Sequence, residues 1–274
     1  MSSSVKTLHA SPTISFSVVI PSFLGDSFIV RSVHSALNQT FSPLEVIVVV
    51  DPPYGKTIEI LEAIQDDRLV VVKNPVRIGL CDSRNVGWSV AKGSHVAFLD
   101  ADDVWFSKKL EYQRSIIERF DPPLFSCENT YSASWKDEVI SDREKITFLS
   151  PTKQMTKNRI HTSNAVVRRE LPYRFNKIIR YCEDFPLWTT VIAREKGCLC
   201  SNVVVSYYFE EPNKAGLSTD FSKNYRYGIK PGLRLLRKEG AINLYQYLLG
   251  RAANWVKYIL RRIARRKVFA NVKQ

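Results

Sequence analysis

The chain has 274 residues, of which 45% are hydrophobic and 24% are charged, and this composition is ordinary for a globular protein. It excludes a disordered or collagen-like chain, and no uncharged apolar run approaches the roughly 20 residues of a membrane-spanning helix. The formal net charge is +13, and residues 223–274 account for it, because they contain 14 Lys or Arg and a single acid. The sequence therefore predicts a neutral body with a basic tail.

The first 120 residues alternate between strand and helix patterns. Apolar, β-rich runs predict strands at residues 16–20, 44–50, 68–72 and 95–99. Apolar residues at helical spacing predict helices at residues 27–38, 57–64, 83–91 and 107–120. Such alternation is typical of an α/β protein in which helices flank a mostly parallel sheet.

Both ends of this alternating region differ from it. Residues 1–15 are rich in Ser, lack the pattern of a secretory signal and are expected to be flexible.

The five cysteines show no metal-type spacing, which favours buried thiols in a reducing cytoplasm. In the mixed region that follows, strands are predicted at residues 124–127, 145–148, 165–167 and 203–209, and a helix at residues 183–195.

Three acids, Asp100, Asp102 and Asp103, follow the fourth predicted strand. Their mutual repulsion would raise their pKa values unless a cation compensated it, and Mg²⁺ or Mn²⁺ prefers carboxylate oxygens. Alternatively, the acids form a turn that caps the next helix, and spacing alone does not decide between these interpretations. Residues 21–23 and Asp51 also follow strands, so we expect all of these groups at the sheet edge where α/β proteins bind ligands.

Longer stretches around these residues resemble the inverting glycosyltransferases of family 2, which have the GT-A fold. The matching stretches are residues 17–23, 37–40, 45–51 and 78–105. The resemblance runs from about residue 15 to residue 218. It implies a nucleotide-sugar-binding half at residues 16–120 and an acceptor-binding half of the same domain at residues 121–220.

The resemblance implies that a nucleotide sugar, a UDP-sugar in the first instance, binds at the strand ends. Matched residue by residue, it assigns the nucleotide-sugar site to Pro21, Ser22, Phe23, Asp51, Asp82, Arg84, Asp100 and Asp102. Residues 21–23 would line the base pocket, Asp51 would accept a hydrogen bond from the base, and Asp82 and Arg84 would lie near the ribose and the diphosphate.

The resemblance also implies a divalent metal ion, Mn²⁺ or Mg²⁺. Asp102 would bind this ion, with Asp103 as the second candidate because the run of acids makes the register ambiguous. The base pocket departs from the family pattern in two places. Phe23-Leu24 replaces the usual Tyr-Asn, and Asp51-Pro52-Pro53 replaces the usual Asp-Asp-Gly-Ser.

Glu183 and Asp184 open a predicted helix. By themselves, two acids in a first helical turn are explained by the helix dipole. The family has a Glu-Asp motif here, which implies that Asp184 is the base that takes the proton of the acceptor hydroxyl in an inverting transfer. The resemblance also implies that Glu183, Trp188 and His161 contact the acceptor, although Trp188 also fits a core role and His161 a structural or surface role.

The tail beyond residue 221 is helical and basic in pattern. Within residues 241–264 the apolar side chains form one stripe, and Lys and Arg lie away from it. Three interpretations compete: docking on an anionic membrane, packing on the enzyme body, and nucleic-acid binding. We favour the membrane, at the inner face of the cell membrane, and expect no nucleic-acid partner, because no nucleic-acid motif accompanies the charge.

These expectations combine into an inverting glycosyltransferase of bacterial surface-polysaccharide synthesis. It would move one sugar from a nucleotide sugar to a glycan or polyprenyl-linked acceptor, since the Gln-x-x-Arg-Trp motif of processive members is absent. One alternative is a nucleotidyltransferase, although the loop after the first strand lacks the Gly-rich, basic sequence of that class. The other is a membrane-binding protein whose glycosyltransferase domain has lost its catalytic activity.

Overall fold

The structure is a computed structural model that describes residues 13–25, 28–130, 144–179, 181–208 and 221–271. The expected flexible start therefore lies outside the described residues as far as residue 12. Ser15 is described and is paired: its backbone N–H donates to Ser94 Oγ at 3.0 Å, and its carbonyl accepts from the backbone N–H of His95 at 3.0 Å.

Nine strands of the described residues form one sheet. They are β1 (Phe16–Phe23), β2 (Glu45–Asp51), β3 (Leu69–Lys73), β4 (His95–Phe98), β5 (Asp103–Trp105), β6 (Leu124–Thr130), β7 (Ile146–Phe148), β8 (Val166–Arg168) and β9 (Leu199–Tyr208). Their order in the sheet is β3-β2-β1-β4-β8-β6-β9-β5, and β7 pairs with β9 at one side.

Helices cover this sheet and form the tail. They are α1 (Ile29–Leu37), α2 (Thr57–Glu62), α3 (Leu80–Val90), α4 (Lys109–Phe120), α5 (Pro151–Thr156), α6 (Asp184–Arg194), α7 (Phe221–Lys223), α8 (Lys230–Lys238) and α9 (Leu244–Asn271). A 3₁₀ turn, Thr162–Asn164, precedes β8, and a π-helical turn, Asn224–Ile229, joins α7 to α8.

The first four strands of the order, β3-β2-β1-β4, are parallel, as the alternating pattern predicts. All of β2 is buried, in agreement with its continuous apolar run. Alternate residues of β1 enter two cores on opposite faces of the sheet, since Val19 packs with Phe98 in one core, and Val18 packs with Ala97 in the other.

The second half of the sheet is mixed. Strands β8 and β6 pair antiparallel, β6 and β9 pair parallel, and β9 and β5 pair antiparallel. The sequence patterns missed β5, because its three residues begin with Asp103 and become a strand only by pairing with β9. They also missed α5 and the 3₁₀ turn, which are too short to show a helical period.

The start of the tail is part of the folded body. Leu233 and Leu236 of α8 and the loop residue Ile242 form a buried cluster with Met155 of α5 and Phe185 of α6. Packing on the body therefore applies to this portion of the tail. No helix in the described parts of the chain combines the length and apolar character that crossing a bilayer requires.

Candidate active site

A buried ion-pair network joins Asp100, in the loop that follows β4, to Glu183 at the start of α6. Arg84 of α3 donates from Nη2 to Asp100 Oδ1 at 2.6 Å and from Nη1 to Glu183 Oε1 at 2.8 Å. The Arg84 side chain is only 2% exposed, and its Nε has no hydrogen-bond partner among the described residues. One guanidinium therefore holds two acids from distant parts of the chain at fixed positions.

The neighbouring acids decide the charge state of Arg84. Burial alone would lower the pKa of Arg84, but the charges of Asp100 and Glu183 and their hydrogen bonds outweigh burial and raise it. The guanidinium is thus a permanent cation. Because two carboxyl groups surround this one cation, the site retains an excess of acidic groups.

Asp184 lies beside this network, as the first residue of α6. Asn158 Nδ2 donates to Asp184 Oδ2 at 3.2 Å, and Thr162 Oγ1 donates to the same oxygen at 3.3 Å. The other oxygen, Oδ1, has no hydrogen-bond partner in the described part of the chain. Burial, followed by the charge of Glu183, raises the pKa of Asp184 to about 6, against the opposing charge of Arg84.

The backbone that leads into α6 is packed against the tail. Cys182 has a φ of 48°, in the left-handed region that residues other than glycine rarely occupy. Gly228 of the π-helical turn lies so close that a Cβ at this position would come within 2.2 Å of the Tyr181 carbonyl oxygen. The turn that presents the two acids of the Glu-Asp motif is therefore held in an uncommon conformation by a close contact that only glycine permits.

The three acids after β4 have different surroundings. Asp102 is exposed, whereas Asp103 is 3% exposed and accepts a hydrogen bond from Ser163 Oγ. The Ser163 hydroxyl oxygen in turn accepts the backbone N–H of Asp100 at 3.1 Å. Burial, followed by the charge of Asp100, raises the pKa of Asp103 well above its usual range. Asp103 thus forms a buried hydrogen-bond chain with Ser163 and the backbone of Asp100, whereas Asp102 lies at the surface.

This arrangement fits a divalent ion at Asp102 better than at Asp103. Within the described residues, no group of three or more His, Cys, Asp or Glu is arranged to hold a metal ion. An ion at Asp102 would therefore need ligands from elsewhere. Mg²⁺ and Mn²⁺ suit this donor set, because they combine one or two carboxylates with water and the phosphate oxygens of a substrate.

The ends of β1 and β2 lie side by side, because the parallel register pairs Phe23 with Asp51. Asp51 is 2% exposed; its Oδ1 accepts from Asn74 Nδ2 at 2.8 Å, and its Oδ2 accepts from the backbone N–H of Gly79 at 2.7 Å. The exposed ring of Phe23 is covered by the guanidinium of Arg77, which lies 3.8 Å from the ring centroid. This edge of the sheet combines a flat, cationic surface with a buried carboxylate.

The other residues expected at the nucleotide site lie close to this edge. Pro21 and Ser22 are buried at the end of β1, and Ser22 Oγ has no partner among the described residues. Asp82 lies in the first turn of α3, where its Oδ2 is 3.8 Å from Lys177 Nζ. Arg84 is too deeply buried to present its guanidinium at the surface, so it serves the site through the acids that it holds.

The residues expected at the acceptor differ in exposure. His161 is 32% exposed, with Nε2 3.6 Å from Glu128 Oε2. Glu183 is 16% exposed and is engaged by Arg84. Trp188 is fully buried, and its Nε1 donates to Thr162 Oγ1 at 3.3 Å. Its ring has no exposed face on which a sugar could stack, so Trp188 supports Thr162 in place of contacting an acceptor.

The sequence assigned no individual role to four contributors to the site: Arg77, Asn158, Thr162 and Ser163. Thr162 and Ser163 belong to the run 161–164 before an apolar strand, which resembles the acceptor-side stretch of related enzymes, but only His161 of that run was assigned. Asn158 and Arg77 lie in stretches without a chemical pattern. They join the site only through contacts with residues that are distant in sequence.

Comparison with known protein families identifies the family of the chain. The sequence model described as glycosyl transferase family 2 matches residues 17–172, which is more than half of the chain. The chain belongs to this family. The resemblance inferred from the motifs is confirmed, and so is the enzyme class, glycosyltransferase, over the nucleotidyltransferase alternative.

Two curated relatives come from Escherichia coli. The chain is 29% identical over 197 residues to the UDP-Glc:alpha-D-GlcNAc-diphosphoundecaprenol beta-1,3-glucosyltransferase WfaP, a match that covers 70% of this chain and 76% of that protein. It is 28% identical over 212 residues to WfgD, which carries the same enzyme name, and this match covers 72% of this chain and 80% of that protein.

Solved structures agree with the family. The crystal structure of S. aureus TarS 1-349 is similar with a TM-score of 0.67 at 17% identity, covering 88% of this chain and 71% of that chain. Its complex with UDP-GlcNAc gives a TM-score of 0.66 at 19% identity, covering 82% of this chain and 66% of that chain. The expected GT-A type of α/β fold is confirmed.

Arg84→Gln should strongly destabilise this family-2 glycosyltransferase, because it leaves Asp100 and Glu183 beside each other without a cation. Breaking a buried ion pair in this way typically costs about 3–5 kcal/mol. Urea unfolding followed by circular dichroism would measure the loss. Arg114→Gln is the matched control, since Arg114 forms an exposed pair with Glu118 worth at most about 1 kcal/mol. Equal losses for the two variants would contradict the central role of Arg84.

Proposed function

We propose that this glycosyltransferase inverts the anomeric centre while it moves one sugar from a nucleotide sugar to a saccharide carried on a polyprenyl diphosphate. The observation that carries the proposal is Asp184: a carboxyl group with a pKa of about 6, one oxygen fixed by Asn158 and Thr162, and the other without a partner among the described residues. A base with this pKa is ionised at neutral pH and still able to hold a proton.

The chemical step needs one such group. Asp184 Oδ1 would accept the proton of the acceptor hydroxyl as that hydroxyl oxygen attacks the anomeric carbon from the side opposite the nucleoside diphosphate. The bond from carbon to the diphosphate oxygen breaks as the new bond forms. No carboxylate nucleophile takes part, because a single displacement forms no covalent sugar–enzyme intermediate. The fixed Oδ2 keeps Asp184 oriented during the transfer.

The donor is proposed to bind where β1, β2 and the acids after β4 meet. Phe23 and Arg77 offer a flat surface for a base, and the buried carboxylate of Asp51 lies next to them. A UDP-sugar is the first candidate, because the names of WfaP and WfgD specify UDP-Glc and a TarS structure contains UDP-GlcNAc. A Mn²⁺ or Mg²⁺ ion held by Asp102 would neutralise charge on the leaving diphosphate.

The acceptor is proposed to bind on the side of Asp184 that Asn158, His161 and Glu183 border. The names of WfaP and WfgD specify a diphosphoundecaprenol-linked acceptor. A saccharide attached to a polyprenyl diphosphate is therefore the proposed acceptor class. This assignment accords with a place in bacterial surface-polysaccharide synthesis at the inner face of the cell membrane.

Membrane docking is proposed for the outer face of α9. Seven large apolar side chains of α9 are at least 48% exposed: Leu244, Tyr245, Leu248, Trp255, Val256, Leu260 and Ile263. The same helix contains Arg261 and Arg262, both exposed, and has no acid. An exposed apolar face on a basic helix is complementary to an anionic lipid surface, where the rings and aliphatic chains enter the interface and the cations meet the head groups.

The donor site makes the first prediction. UDP at about 100 times its dissociation constant should stabilise the protein by about 2.7 kcal/mol in the presence of Mn²⁺, whereas GDP and CMP should not. Asp102→Asn should abolish the metal-dependent part, and Asp67→Asn, an exposed acid away from the site, should leave it unchanged. Thermal unfolding would measure these shifts. If no nucleotide shifted the transition, the alternative of a domain that has lost its catalytic activity would replace the proposal.

The base makes the second prediction. Asp184→Asn should lower kcat by about 10²–10⁴-fold, because an amide accepts no proton, while UDP binding remains unchanged. In the wild-type protein kcat/KM should fall tenfold per pH unit below about pH 6, since the pKa of Asp184 is raised to about 6 and the protonated form is inactive. Initial rates across pH measure this limb. An acid limb near pH 4 would contradict the assignment.

The outer face of α9 makes the third prediction. Leu248→Ser combined with Trp255→Ser should lower binding to phosphatidylglycerol-containing vesicles at least tenfold, because each large side chain contributes about 1.5–3 kcal/mol when fully buried. Leu44→Ser with Ile178→Ser removes exposed apolar side chains elsewhere and is the matched control. Co-sedimentation measures the bound fraction. Equal pelleting of both double variants would exclude docking through this face.

A further inference from the structure

Three cationic side chains gather where the chain leaving α5 meets α9. Lys157 and Arg159 follow the end of α5 at Thr156, and Lys257 of α9 donates from Nζ to the carbonyl oxygen of Thr156. Burial, followed by the charges of Arg261, Lys157 and Arg159, lowers the pKa of Lys257, in keeping with this proximity. We call this group the α5–α9 basic cluster.

The protein neutralises this cluster only in part. None of the ion pairs among the described residues joins Lys157, Arg159 or Lys257 to an acid. The charges of Lys157 and Arg159 lower the pKa of Glu128, but the hydrogen bond from His161 lowers it first, so this one acid is shared with His161. Three cations with one shared acid repel one another, and an anionic ligand would remove this cost.

Arg159 and Lys257 retain donors for a ligand. The backbone of Arg159 is held by its N–H, which donates to Gln154 Oε1 at 3.0 Å, while its side-chain Nε is buried without a partner in the described part of the chain. Lys257 Nζ donates to the carbonyl oxygen of Thr156, which uses one of its three N–H groups. Guanidinium and ammonium groups with unused N–H donors are the groups with which proteins bind phosphate.

The cluster borders the candidate base. Arg159 directly follows Asn158, whose Nδ2 lies 3.2 Å from Asp184 Oδ2. The charges of Lys157 and Arg159 also act on Glu128, the partner of His161 on the acceptor side. An anion held by the cluster would therefore be a near neighbour of the hydroxyl that Asp184 deprotonates. The donor diphosphate is expected elsewhere, at Asp102.

We propose that the α5–α9 basic cluster is the binding site for the diphosphate group of the acceptor. This assignment rests on the proposed function, because it requires an acceptor whose saccharide is joined to a lipid through a diphosphate. It makes the saccharide and its charged linker bind at adjacent places, the sugar at Asp184 and the linker at the cluster. The acceptor is then selected by its charge as well as by its sugar.

Inorganic pyrophosphate is the first probe, and its binding to the full chain is measured by calorimetric titration. Metal-free buffer is used because the donor site is expected to bind a diphosphate only together with a metal ion. The wild-type protein should bind it. Arg159→Gln with Lys257→Gln should weaken binding at least tenfold, because each removed cation takes a charge-assisted contact. Lys157→Gln, which alters an exposed side chain without a hydrogen bond to described residues, should weaken it with the fold intact.

Two matched variants distinguish the cluster from the donor site and from the general positive charge of the tail. Arg234→Gln with Arg237→Gln removes two exposed charges from α8 and should leave pyrophosphate binding unchanged. Asp102→Asn should also leave it unchanged, even though it abolishes the metal-dependent effect of UDP. If the Asp102 variant lost pyrophosphate binding, or the α8 and cluster variants lost it equally, the proposal would be overturned. A failure of UDP to bind would instead count against the proposed donor site.

A kinetic arm distinguishes the acceptor linker from membrane lipid. The cluster variants should raise KM for a saccharide joined to a short alkyl diphosphate at least tenfold and leave KM unchanged for the same saccharide as an uncharged alkyl glycoside. Binding to phosphatidylglycerol vesicles should change no more than in the α8 control. Loss of vesicle binding with unchanged KM for the diphosphate acceptor would assign the cluster to phospholipid head groups and overturn the proposal.

Discussion

The contact of Arg84 with Asp100 and Glu183 is the interaction on which the geometry of the site depends. Asp100 follows β4 in the parallel half of the sheet, and Glu183 precedes α6 in the other half. A buried guanidinium has a planar, two-pronged arrangement of donors, so it fixes the orientation of both carboxylates as well as their separation. The expected donor side and the expected base are thereby held in one rigid unit.

This arrangement has an electrostatic consequence. Arg84 lies among the acids Asp100, Glu183, Asp184 and Asp103, and burial of these groups makes their repulsion stronger than it would be in water. Glu183 therefore acts twice, since it holds Arg84 and also raises the pKa of Asp184. The remaining excess of acid favours a divalent cation at the surface around Asp102, where the metal ion of the proposed donor site would bind.

The sequence predicted the elements whose signal is local. The apolar runs located β1 to β4, and their shared direction placed residues 21–23, Asp51 and the acids after β4 at one edge, as the structure has them. The family resemblance added roles for individual residues. A continuous apolar run or a strand end is visible in a few neighbouring residues, so these parts of the fold need no knowledge of distant contacts.

The remaining parts depend on contacts that no local pattern encodes. A tryptophan can stack on a sugar ring, but Trp188 lies on the side of α6 that faces the core, where its ring packs against Phe98. Asp103 looks equivalent to Asp102 in sequence, yet pairing of β5 with β9 buries it. Asn158 reaches Asp184 only because α5 packs on α6. Each of these outcomes is set by the tertiary arrangement, which overrides the chemical identity of the residue.

The tail illustrates how one segment can combine two of the roles that looked like alternatives. One face of α9 is part of the body, where Asn254 Nδ2 donates to the carbonyl oxygen of Met155 at 2.8 Å. The opposite face is apolar and exposed. Because α5 leads directly to Asn158, and Asn158 donates to Asp184, the helix proposed to meet the membrane is separated from the proposed base by a single packed element. Such a connection would fix the height of the Asp184 carboxylate above the lipid surface, where the proposed lipid-linked acceptor would arrive.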